Sequence, residues 1–166
     1  VRTGAVRGLP LLVALVCLLA GCGLSIPSDP DSSLERIRST GELRVGVSPH
    51  PPFTDFPDGL DAPPTGTEVD LVTGFAEQQG ARPVWTPGGE EHLVELMKSQ
   101  QLDIIIGGLT SQTPYSTDVG VTRSYLTQDE PTSDGGTRSR SYVMAVTMGE
   151  NALLTELERY LDRVQP

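Results

Sequence analysis

The stretch LDIIIGGLT, residues 102–110, is the most informative segment for the fold. Its three consecutive β-branched isoleucines, Ile104 to Ile106, read as a short strand covered on both faces, as parallel strands in α/β sheets are. Gly107 and Gly108 follow at once, where the backbone can turn sharply or approach a ligand, and Thr110 then adds a hydroxyl. Ligands of open α/β sheets gather just beyond the carboxyl ends of strands, so this segment is expected to form the floor of a binding site.

The flanking segments alternate between strand and helix patterns. LRVGV at 43–47 predicts a strand, and the six prolines between Ser48 and Gly66 predict an irregular loop. Residues 68–79 predict a helix with Val69, Val72, Phe75 and Ala76 on one face and Gly80 as its stop. A strand at 83–86 and a helix at 90–99 precede the isoleucine strand. Ser33 is expected to cap a short helix over LERIR. After the isoleucines come a short strand at 119–122, a polar linker at 128–141, a strand at 142–147 and a closing amphipathic helix at 151–164. This order predicts an α/β fold with a mostly parallel sheet flanked by helices.

The beginning of the chain reads differently. Arg2 and Arg7, an apolar run from Leu9 to Leu19, and Leu19-Ala20-Gly21-Cys22 have the pattern of a lipoprotein signal peptide over 1–21. Cys22 is then the expected lipidation site, residues 22–33 a polar tether, and 34–166 one folded domain. Of the two cysteines, Cys17 leaves with the leader, so no disulfide within the chain is expected. The net charge of −10, more negative still without Arg2 and Arg7, argues against nucleic acid and against electrostatic attachment to anionic lipid. Any membrane link is expected through the lipid on Cys22.

Taken in order, GELRVGVSPHPPF (41–53), TGTEVDLVTGFAEQQG (65–80), LVELMKSQQLDIIIGGLT (93–110) and Ser124-Tyr125 resemble the first lobe of bacterial extracellular solute-binding proteins of family 3. These are the amino-acid-binding type of ABC importers. YVMAVTMGENALLTELERYL (142–161) is similar to that family's closing strand and helix. The resemblance implies a single periplasmic-binding-protein-like lobe in which the linker at 128–141 replaces the second lobe. It puts Gly108 and Thr110 where the family offers an amide and a hydroxyl to a ligand's α-carboxylate. It puts Tyr115 at the position of the carboxylate-clamping arginine, and His50 and Glu90 at two aromatic wall positions. Tyrosine cannot make arginine's bidentate, charge-assisted pair, and Glu90 would repel a carboxylate and favour a cation. Phe53 is either a lid over the sheet edge or a ring stacked on a ligand.

His50 and His92 lie 42 residues apart with no metal-ligand spacing, so neither a metal nor a cofactor is expected. No Gly-x-Ser-x-Gly occurs, and no catalytic residue is assigned; the expectation is a non-enzyme. The expected role is extracytoplasmic recognition of a small polar or cationic solute, linked to uptake through an ABC permease or a partner protein that completes the cleft. The alternative is a single-lobe interaction or sensor lipoprotein, with Arg138 and Arg140 available to a partner.

Overall fold

In the computed structural model, which describes residues 31–132 and 135–164, the valine-rich run Glu42–Val47 forms strand β1 inside a five-stranded sheet. The expected leader, Cys22 and the tether as far as residue 30 lie outside the described residues. β2 (Arg82–Pro87) and β3 (Ile104–Ile106) flank β1 in parallel, which makes the parallel ladders the longest of this sheet. β4 (Gly120–Val121) and β7 (Ala145–Val146) complete the order β2-β1-β3-β7-β4 with antiparallel pairings. Between them, β5 (Leu126–Pro131) and β6 (Thr137–Tyr142) form a separate antiparallel hairpin.

Side-chain alternation along the strands builds two cores. Val45, Val47, Ile104 and Ile106 face one side, against α1 (Ser33–Thr40), α2 (Thr67–Gln78) and α4 (Asn151–Val164). Ile105 faces the other, with Leu93, Val94 and Met97 of α3 (Glu90–Lys98). β3 is thus buried on both faces, as its isoleucines require. Gly46 lets α3 close in: a Cβ there would lie 2.8 Å from Leu102 Cδ1 and 3.1 Å from Leu93 Cδ2. α2 stops where expected, with Gly80 at φ +73°, its N–H on the Glu77 carbonyl and that of Ala81 on the Ala76 carbonyl.

Three local readings change. Ser33 does not cap α1 but is its first residue; Glu150 accepts the Asp31 and Ser33 amides at 2.9 Å each. A carboxylate with two oxygens satisfies the first helical amide and one just before the helix, where one hydroxyl satisfies one. Within the expected linker, residues 128–131 and 137–141 pair as strands, because polar cross-strand pairs replace apolar alternation: Glu130 takes Arg140 Nε at 2.6 Å and the Tyr142 hydroxyl at 2.5 Å. The expected strand at 142–147 is divided, since Tyr142 ends β6 and only Ala145–Val146 pair in the main sheet.

Asp103, fully buried at the start of β3, accepts Arg44 Nη2 at 2.6 Å, the Arg44 amide at 2.9 Å and Arg36 Nη2 at 2.5 Å. Asp103→Ala leaves both guanidiniums without this partner, and is expected to cost about 2–3 kcal/mol, discounted for the partly exposed arginines. Urea unfolding measures it, and a loss within about 0.5 kcal/mol would show the cluster to be dispensable.

Candidate functional site

The parallel register decides which residues can meet. Val47 pairs with both Pro87 and Ile106, so β1, β2 and β3 end at one edge of the sheet. Ser48–His50, Gly88–Glu90 and Gly107–Thr110 all emerge there. Of the expected site residues, His50, Phe53, Gly108 and Thr110 are brought together. Glu90 starts α3 at the same edge, and Tyr115 packs its ring against the α3-side core instead.

Gly107 (φ +148°) and Gly108 (φ +66°) make the turn after β3 in conformations that suit glycine. A Cβ on Gly107 would lie 2.6 Å from the Ser48 carbonyl oxygen, and one on Gly108 would lie 2.7 Å from His50 Cδ2. Phe53 is only 5% exposed, with its ring 4.4 Å from Tyr142 and 5.8 Å from His50 between centroids. Its role is therefore that of a lid packed over the glycine turn.

Both turn amides are already engaged. Gly107 and Gly108 donate to Glu68 Oε2 at 2.7 and 3.0 Å, and the Tyr125 hydroxyl donates to Glu68 Oε1. The Gly108 amide, expected to face a ligand, is thus held by an internal carboxylate. Burial pushes the Glu68 carboxyl up from its ordinary value; the bonds from Tyr125, Gly108 and Gly107 and the charge of His50 oppose this. Burial, then the charge of Glu68, pushes the Tyr125 phenol up. Sequence reasoning missed Glu68, because an acid in the first turn of a helix already suits the dipole and needs no other explanation.

Thr110 is where the edge opens. Leu109 accepts the Val143 amide and Ser111 donates to the Ser141 carbonyl, both at 2.8–2.9 Å, so Leu109–Ser111 runs along the outer edge of β6. The chain then turns away, with the Thr113 amide on the Thr110 carbonyl. A polar cavity of about 150 Å³ is left between Thr110, Ser111 and Gln112 on one side and residues 138–141 of β6 on the other. Among the described residues, no group of three or more His, Cys, Asp or Glu is placed to hold a metal ion. Among them, too, no helix is long and apolar enough to cross a membrane.

Residues 43–165 match the family described as bacterial extracellular solute-binding proteins, family 3. The chain belongs to that family. Among solved structures, the arginine-bound form of domain 1 from TmArgBP matches with TM-score 0.63 and 25% identity, over 78% of this chain and 98% of that one. An ancestral cationic amino acid solute-binding protein matches with TM-score 0.66 at 15% identity, over 80% of this chain and 93% of that one, a likeness of fold. Among curated relatives, the membrane-bound lytic murein transglycosylase F of Vibrio cholerae serotype O1 is 33% identical over 143 residues. That match takes in 84% of this chain, which spans about a quarter (26%) of the relative's length. The protein of the same name from Maricaulis maris is 38% identical over 81 residues, 48% of this chain and 17% of the relative. These names correct the expectation of a non-enzyme: the curated relatives are named as an enzyme, although the shared part is the solute-binding-like domain.

A carboxyl with a raised folded pKa contributes its full stability below the unfolded value of about 4.5, and loses it as pH rises through the folded value. Stability should therefore fall across that window in the unaltered chain and stay flat there for Glu68→Gln, as read from urea unfolding between about pH 4 and 8. An unchanged slope in the variant would show that Glu68 does not titrate there. Glu68→Ala, which strands two buried amides and a hydroxyl, should cost about 3 kcal/mol.

Proposed function

We propose that this lobe recognises a small amino-acid-like solute outside the cytoplasm, at the sheet edge where β1, β2 and β3 end. The observation that carries this reading is the polar cavity beside Thr110, formed where a parallel sheet of this family ends and the hairpin begins. Recognition by one lobe is supported by TmArgBP, whose domain 1 has an arginine-bound form. Glu90 at the same edge and a net charge of −10 favour a polar solute of net positive charge over a polyanion. A lipid on Cys22 would keep the lobe at the outer face of the cell membrane, with more than one acyl chain needed for lasting retention.

Two couplings follow from this recognition. In one, the lobe delivers its solute to an ABC permease, the family's association with import. In the other, it is a recognition or sensor module acting with a partner in murein turnover, which the name shared by the curated relatives favours. Cross-linking in native membranes separates them: a permease as neighbour supports uptake, and a murein-cleaving enzyme supports the second.

Recognition itself is tested by calorimetry of the folded domain against L-arginine, other amino acids, polyamines and soluble murein fragments. Saturable binding of at least one is expected. Silence across the whole panel would sink the reading.

A further inference from the structure

The hairpin supplies a cation that the expected clamp position lacks. Tyr115 is packed away against the α3-side core, but Arg138 and Arg140 of β6 line the cavity opposite Thr110, Ser111 and Gln112. The two arginines differ in what they already hold. Arg140 is bound to Glu130 at 2.6 Å, and Glu130 also takes the Tyr142 hydroxyl. Arg138 is the cross-strand neighbour of Glu130, yet that carboxylate turns to Arg140 and Tyr142. Among the described residues the Arg138 side chain has no hydrogen-bond or ion-pair partner.

The backbone adds open groups beside it. The Ser141 carbonyl accepts the Ser111 amide, so it points away from β5. Strand alternation points the N–H and C=O of Ser139 the same way, and Leu109–Ser111 stops short of them because the chain turns at Thr113. The cavity thus joins an unpaired guanidinium, several hydroxyls, the Gln112 amide and a free stretch of strand edge. Its volume of about 150 Å³ is that of a cavity that accepts a molecule of about six heavy atoms. This suits the α-carboxylate and α-carbon end of an amino acid or of a peptide C-terminus.

We infer that Arg138 is the carboxylate-binding residue of this lobe, replacing from the hairpin the guanidinium absent at Tyr115, with Thr110 and Gln112 completing the carboxylate site. The inference rests on the reading of this edge as solute-binding and names the group that the edge recognises. Arg138 is exposed, and a planar guanidinium takes a carboxylate through two parallel N–H···O bonds.

The test titrates the folded chain with L-arginine and with L-alanyl-L-alanine, each against its C-terminal amide, and follows the amides of residues 110–112 and 138–141 by NMR. The carboxylate form of at least one probe should shift both segments and bind at least about tenfold more tightly than its amide, as a charge-assisted pair requires. Preference for the amino acid or for the dipeptide identifies the source of the carboxylate. Arg138→Gln should remove that preference, and Arg123→Gln, which changes net charge equally outside the cavity, should keep it. If the carboxylate probes bind but Arg138→Gln binds them unchanged, or if amides bind as well as acids, the Arg138 site is overturned and solute recognition stands. If inorganic phosphate shifts the same amides as strongly as the carboxylates, the groove is a general anion site and the carboxylate assignment falls. Silence of every probe in the unaltered, folded chain overturns the carboxylate site. Silence across the wider calorimetric panel as well overturns recognition.

Discussion

One buried carboxylate holds together the edge of the sheet where β1 and β3 end. Glu68 lies in the first turn of α2, is 0% exposed, and accepts bonds from the Gly107 and Gly108 amides and the Tyr125 hydroxyl. A carboxyl group in that environment is tolerated only because each oxygen has a donor. Through it, a helix start, the turn after β3 and the chain entering β5 become a single unit. The Phe53 ring can lie over Gly108 because that turn is fixed, and Tyr142 can lie against Phe53 because β6 is fixed in turn. Thr110 meets its cavity at the end of this chain of contacts.

The hairpin is the second determinant, and it is held by different physics. Its strands carry little apolar surface, so it is stabilised by backbone pairing and by one carboxylate, Glu130, shared between Arg140 and Tyr142. That sharing leaves the side chain of the neighbouring Arg138 without an ion-pair partner among the described residues. The glycine turn offers no free amide, since Glu68 has claimed both. The positive charge beside the cavity comes from the hairpin, in the stretch expected to be a linker with Arg138 and Arg140 available to a partner.

How much could be read in advance follows from how local each cause is. The burial of Ile104, Ile105 and Ile106 on two faces, the Schellman stop at Gly80 and the inward faces of α2, α3 and α4 all follow from neighbours three or four residues away, or two in a strand. The family was legible for the same reason, because its segments keep their order along the chain. The Glu150 cap on α1 was not legible: its partners, Asp31 and Ser33, lie more than a hundred residues away in sequence. Nor was the β5–β6 hairpin, because most of its residues are exposed and no apolar alternation marks it.

By itself the sequence determined the α/β class, the buried parallel strand and the glycine turn after it, since hydrophobic period and backbone freedom are written into neighbouring residues. Tertiary structure alone decided which polar groups remain available at that turn. Glu68 reaches the glycine amides across 39 and 40 residues, Glu130 chooses Arg140 over Arg138, and Tyr115 packs against the core. The physical reason is competition: a hydrogen-bond donor or a cation binds a ligand only if no closer group in the folded chain has satisfied it first.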